Sequence, residues 1–270
     1  MAYISRLACM NRLKLSTAFL ALVCVATAHA DPNSAARVRI FASLPDWTGL
    51  WQSAAWPIDI SGRVPGGEAK LREGLQLIRH PPYNAEWEAK FQEGLKNTAG
   101  LAAQSATFTA CTRGFPAIME GPMVFQIVVS PEETLLVFES QQVRHIYTDG
   151  RRHPPAEDLW PTRLGDSIGR WEGDTLIVDT VARNAEPIAP RAWLSILSDQ
   201  AHFTERLRLV NRNKVEDQVT IEDPIAFARP WHMVLEFTRV PGMNRMIAYD
   251  CTENERNPVV DGKMTITVPP

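Results

Sequence analysis

After Cys111 the chain is a succession of short β-branched and aromatic runs broken by turn residues, with no helical period between them. "MVFQIVVS" and "TLLVFES" are joined by Pro131-Glu132-Glu133, and "VRHIYTDG" follows Gln141-Gln142. "DSIGRW" meets "TLIVDTVA" through Glu172-Gly173-Asp174, and "HFTERLRLV" meets "VEDQVTIED" through Asn211-Arg212-Asn213-Lys214. A last pair is "WHMVLEFTRV" and "NRMIAYDC". Runs of this length and composition read as strands, and connections this short join antiparallel neighbours. A parallel sheet would need helices between them. About eight such strands leave unpaired edges unless the sheet closes, so the pattern predicts an all-β, antiparallel barrel.

The rest of the chain departs from that pattern. Residues 31–45 read as a loose leader, and "PDWTGLWQ" supplies a first strand in which Trp47 and Trp51 flank Gly49. Trp87, Phe91 and Leu95 then recur at one-turn spacing behind Asn84, an effective N-cap. This predicts a helix over 84–96, its aromatic stripe facing a core, inside a partly helical insert near residues 60–105. The barrel domain so read runs from 46 to 270.

Arg6, Arg12 and Lys14 precede the apolar stretch "LSTAFLALVCVATAHA", and Ala28-His29-Ala30 puts small residues where a signal peptidase reads. Residues 1–30 are therefore expected to be a signal peptide and the mature chain periplasmic or secreted. Removing those three basic residues leaves 25 of the 28 against 31 acidic residues, a formal charge of −6. Such a balance disfavours nucleic acid and anionic membrane surfaces as partners. The mature chain has no segment near the ~20 apolar residues a membrane span needs. Cys111 and Cys251 are the cysteines left, and an even count in an oxidising compartment favours a disulfide over two buried thiols.

Chemistry-bearing residues fall into three groups. In Glu172-Gly173-Asp174 the glycine supplies the positive φ of a tight hairpin, a structural role, and Trp171 before it reads as a core or cavity wall. Glu205 shares a strand face with Phe203, Leu207 and Leu209, and Glu139 with Leu135 and Val137. A carboxylate among apolar neighbours must be paired or neutralised, so Glu205 is either ion-paired with an arginine such as Arg170 or Arg208, or a poised acid or base. His145 and Tyr147 point the same way on one strand, and Asp149, Arg151 and His153 follow at its end, where barrel mouths bind ligands. His202 and His232 begin strands of their own and are weaker candidates. The Gly165-Asp166-Ser167-Ile168-Gly169 spacing fits a serine-nucleophile elbow, but a hairpin follows it where that motif requires a helix. No His-x-His, Cys-x-x-Cys or His-Glu-x-x-His spacing occurs and there is no glycine-rich phosphate loop, so neither metal nor cofactor is expected.

The stretches "IYTDGRRHP", "SIGRWEGDTLIVDT", "HFTERLRL" and "DPIAFARPW" resemble those of a large, mostly uncharacterised group of exported bacterial proteins, over roughly residues 46 to 257. That group usually carries Cys-His-Glu near its end, whereas Thr252 follows Cys251 here. "DWTGLWQ" also resembles the Gly-x-Trp start of lipocalin-like (calycin) barrels. The expectation is a cofactor-independent enzyme of the lyase or isomerase type, acting by elimination, hydration or isomerisation on a small hydrophobic or aromatic molecule in the barrel. Glu205 and Glu139 would serve as acid and base, with His145 and Tyr147 as hydrogen-bond partners. His153, Arg151, Trp171 and Arg170 would line the mouth. The alternative is a non-catalytic periplasmic binding protein for the same ligand class.

Overall fold

A computed structural model describes residues 33–54, 80–98, 114–120, 124–184 and 197–247, and the backbone of residues 259–260 and 263–264. Nine strands close into one barrel in chain order. They are β1 (Leu50–Ser53), β2 (Val124–Val129), β3 (Glu133–Phe138), β4 (Val143–Tyr147), β5 (Asp166–Glu172), β6 (Thr175–Val181), β7 (His202–Asn211), β8 (Lys214–Glu222) and β9 (Trp231–Arg239). The all-β barrel expected from the strand pattern is the observed architecture, with two differences in how it closes.

First, β4 and β5 run parallel, paired only through Ile146–Ser167 and Tyr147–Ile168, while every other neighbouring pair is antiparallel. A parallel step needs a long crossover, and residues 148–165 supply it. Second, β9 does not form a hairpin with the segment after it. Residues 244–247 form no strand, and β9 instead pairs with β1 (Trp51–Arg239, Gln52–Thr238, Ser53–Phe237), which closes the barrel.

Alternation along each strand fills the interior. Thr134, Leu136 and Phe138 point inward from β3, and Val215, Asp217, Val219 and Ile221 from β8. Phe125 packs on Phe138 and Phe237 at ring distances of 5.5 and 5.1 Å, and Phe115 meets Phe203 edge-on at 4.9 Å. Gly169 faces inward because nothing larger fits: a Cβ there would lie 2.8 Å from Ile146 Cγ2 and 3.1 Å from Leu176 Cδ1. Gly173 adopts φ +65° at the first position of a two-residue hairpin loop, so the Glu172-Gly173-Asp174 motif is a turn.

Three helices among the described residues accompany the barrel. Residues 34–43, expected as loose leader, form α1 (Ser34–Ser43), whose Arg37 donates to the carbonyl of Asp149. The predicted helix is α2 (Ala85–Thr98). Asn84 caps it by accepting from the Trp87 backbone amide at 3.0 Å, and its side-chain Nδ2 donates to the Ile225 carbonyl, which fixes the helix to the β8–β9 connection. Phe91 is buried and Trp87 partly so, as the stripe requires. The short α3 (Ala117–Glu120) follows Gly114 and carries Ile118 and Met119 into the core. Strands β10 (Val259–Val260) and β11 (Lys263–Met264) form a separate two-stranded ladder. Residues 1–30, Cys111 and Cys251, and with them the expected signal peptide and disulfide, lie outside the described residues, as does most of the 60–105 insert. No helix among the described residues is long and apolar enough to cross a membrane.

Candidate functional site: a buried arginine and two carboxylates

Among the described residues a polar cluster is buried inside the barrel. Glu205 projects inward from β7 between Phe203 and Leu207, as its strand parity requires, and is 2% exposed. Its partner is Arg144 of β4, itself 1% exposed, not Arg170 or Arg208. The pair is bidentate: Arg144 Nη1 donates to Glu205 Oε1 at 2.9 Å, and Nη2 donates to Oε2. Arg144 also donates through Nε to Ser167 Oγ at 3.3 Å and through Nη2 to Thr180 Oγ1 at 2.9 Å, while the two hydroxyls bond each other at 2.8 Å. Ser167 is therefore a mid-strand member of this network, which ends the nucleophile-elbow reading.

Asp217 completes the cluster from β8. It is fully buried, and neither of its oxygens takes a hydrogen bond from a donor of the structure. Burial pushes its carboxyl well above the ordinary aspartate range, and the charge of Glu205 and a hydrogen bond to it push the same way, against the weaker pull of Arg144. Two carboxyls thus share one buried guanidinium, and the excess acidity is pushed onto Asp217, toward its protonated form. The site thus sets a carboxyl pushed toward its protonated form among the same buried groups as the Arg144–Glu205 pair, an arrangement of the kind general acid–base chemistry uses.

The plug over this cluster is the turn from Gly114 into α3. The Phe115 ring lies 3.8 Å from Arg144 Cζ, and Met119 Sδ is 3.7 Å from Nη1. The Phe115 amide donates to the Arg163 carbonyl, which ties the plug to the β4–β5 crossover.

The other sequence-predicted residues are not brought to Glu205. His145 and Tyr147 stand on the outer wall of β4, opposite in parity to Arg144 and Ile146, so the expected hydrogen-bond partners of an interior ligand face outward. There His145 stacks on Tyr147 at 6.0 Å and pairs with Glu133, and Arg151 covers the other aromatic neighbour position at 3.9 Å from the Tyr147 ring. Arg151 also holds Asp149, whose carboxyl is lowered chiefly by that hydrogen bond. Glu139 lies just past β3, in parity with the outer residues Leu135 and Val137; it is half-buried, its carboxyl raised by desolvation and lowered in part by the Val124 amide. Arg170 is exposed and pairs with Glu172. Trp171 packs edge-on against Trp47 at 5.8 Å, a wall of the core.

His153 belongs to a separate outer array. Its Nδ1 meets Asp166 and its Nε2 meets Asp179 at 3.1 Å, and Asp179 in turn meets His202, which reaches Glu222. This chain of carboxylates and imidazoles pins the crossover to β5, β6, β7 and β8. No group of three or more His, Cys, Asp or Glu among the described residues is arranged to hold a metal.

Sequence reasoning missed Arg144 and Asp217. Each had a readable signal: Arg144 alternates with Ile146, and Asp217 with Val215, Val219 and Ile221, so both carry charge at inward parity of strands whose other inward positions are apolar. Comparison with family models, curated proteins and solved structures gives no match to this chain.

Proposed function

We propose that this protein is an exported, cofactor-independent enzyme that moves protons on a small hydrophobic or aromatic molecule admitted to the barrel interior. The observation that carries the reading is Asp217, a fully buried carboxyl with no hydrogen-bond donor on either oxygen, present in the interior beside an arginine that Glu205 already pairs. An arginine needs one counter-ion, and Glu205 supplies it in bidentate form; the second carboxyl adds nothing to that neutralisation. A proton donor and a proton acceptor side by side in a dry site meet the requirement of elimination, hydration or isomerisation, each of which takes a proton from one atom and delivers one to another. Asp217 acts as the acid, Glu205 as the base, and Arg144 as the fixed positive charge that pairs with Glu205 and stabilises negative charge developing on the ligand.

Complete enclosure of the cluster also favours a second reading, a non-catalytic carrier that holds the same kind of molecule. One experiment separates them. The protein is incubated in deuterium oxide with a panel of small apolar carbonyl compounds, and deuterium entering next to the carbonyl is followed by mass spectrometry. The enzyme exchanges it, and Glu205→Gln loses about 10²–10⁴-fold of the rate while still binding. Binding without exchange leaves the carrier; neither binding nor exchange sinks both.

A further inference from the structure

Helix α1 is 10 residues long and buries none of its side chains. No side chain caps its first turn, no acidic residue stands there, and no basic residue stands in its last turn. Isolated helices of this length are marginal in water, and most helical stability in proteins comes from packing one face. Here that face is open: Val38, Ile40 and Phe41 flank Arg37 on one side of the helix and are 48, 41 and 41% exposed. Arg37 ties the helix to the barrel by donating to the Asp149 carbonyl at 3.3 Å, at the start of the β4–β5 crossover. The charge of α1 is equally one-sided. It carries Arg37 and Arg39 and no acid, which leaves the rest of the mature chain 23 of its 25 basic residues against 31 acidic ones, a formal −8.

The same crossover carries Trp160, at 84% the most exposed large apolar side chain among the described residues. Trp160 does not stand on a loose loop. The Pro155 carbonyl accepts from the Asp158 and Leu159 amides at 2.9 and 3.1 Å, which forms a turn just before it. His153 fastens the crossover ahead of that turn, and behind it the Thr162 amide donates to the Ala182 carbonyl at 3.0 Å. Glu157 and Asp158 are exposed beside Trp160, and no basic residue lies between Pro154 and Pro161. A tryptophan fixed in this way offers a large contact area at little entropic cost, the property of an interface anchor. One connection thus presents a basic, apolar helix and an acidic turn with an aromatic anchor, and the chain closes neither on itself.

We propose that the protein is a two-fold dimer in which α1 of each copy packs Val38, Ile40 and Phe41 against Trp160 of the other, with Arg39 set against Glu157 and Asp158. Because each copy holds both halves of the contact, a two-fold axis makes it twice and leaves neither half over. Charges act over about 8 Å at physiological ionic strength, so the local match of a basic helix to an acidic turn outweighs the net charge the copies share. A lipid surface would account for the helix but leaves Trp160 and its acidic turn without a role. The dimer is independent of the interior cluster and of the reaction proposed for it.

The test is sedimentation velocity of the full mature chain over about 1 μM to 1 mM, where dissociation constants of modest interfaces fall. The wild type is expected to pass from monomer to dimer. Trp160→Ser should raise the dissociation constant about 30-fold, the value of a tryptophan anchor, and Phe41→Ser should act in the same direction. Both side chains are exposed, so the monomer should unfold in urea as the wild-type monomer does. Arg39→Glu should weaken the dimer, as should Glu157→Arg with Asp158→Arg, and combining all three reversals in one chain should restore it. A wild type that stays monomeric throughout, a dimer indifferent to Trp160→Ser, or reversals that do not rescue one another overturn the proposal. A monomer that floats with vesicles of anionic phospholipid, and ceases to with Arg39→Glu, overturns it too and assigns α1 to a lipid surface.

Discussion

Replacing Asp217 with Asn preserves the shape of the side chain and removes its titration, which turns the buried acid into a measurable slope. In the unfolded chain the carboxyl ionises above about pH 3.9. In the fold, burial and the Glu205 charge keep it protonated well beyond that. Unfolding above pH ~3.9 therefore releases a proton, and this group's contribution to stability, fully present below the unfolded value, is lost as pH rises toward the native one. The loss amounts to about 1.4 kcal/mol for each pH unit in that window, because one pKa unit is worth about that much. Asp217→Asn has no such slope, and its amide can still donate to Glu205. Urea denaturation of the two proteins over a pH series should give stabilities whose difference is constant in strong acid. Above it, the variant should gain on the wild type by about 1.4 kcal/mol per unit, levelling off where native Asp217 ionises. Full burial leaves no solvent screening to flatten the effect. Parallel curves across the series would mean that Asp217 ionises in the fold as readily as in the open chain, and would refute the account of the site.

Arg144→Met strands Glu205 without a counter-ion in a closed interior and is expected to cost about 3–5 kcal/mol, read by chemical denaturation. A loss below about 1 kcal/mol would show the pair to be dispensable. Glu205→Gln removes the charge that repels Asp217, which then becomes the counter-ion of Arg144; in that background the pH-dependent gap produced by Asp217→Asn should shrink or vanish. Gly169→Ala drives a methyl into Ile146 and Leu176 and should cost about 1–3 kcal/mol by overpacking. Gly173→Ala, with nothing within 4 Å of its added methyl, should cost about 1 kcal/mol from its positive φ alone.

The strands were legible because period-two alternation and turn chemistry are local: β2 with β3, β5 with β6 and β7 with β8 form where their sequences place them. Which strands meet to close the barrel was not, because that depends on which distant edges pair. The segment "NRMIAYDC" has strand composition, yet the edge it would have used is taken by β1, whose four residues gave a weak signal of their own. The site was half legible for a related reason. Parity within β7 put Glu205 inside, but pairing it correctly needed the register of β4 against a barrel whose closure was unknown, so sequence-near Arg170 and Arg208 were favoured over Arg144. Glu139, His145 and Tyr147 were placed inside by treating either face of their strands as the inward one, and only the buried Thr134, Leu136 and Phe138 settle which face of β3 that is.

The parallel seam gives the polar cluster a structural reason to sit where it does. β4 and β5 share two residue pairs, fewer than any other neighbours in the barrel, so backbone hydrogen bonding alone holds this edge least. Inside, Arg144 of β4 reaches across to Ser167 of β5, and on to Thr180 of β6 and Glu205 of β7. Outside, His153 of the crossover clasps Asp166 of β5 and Asp179 of β6. The Phe115 amide bonds the same crossover at Arg163, so the plug and the seam are mechanically one unit. Side-chain bonds replace ladder bonds here, and side-chain bonds can be exchanged for those of a ligand without unzipping a strand pair.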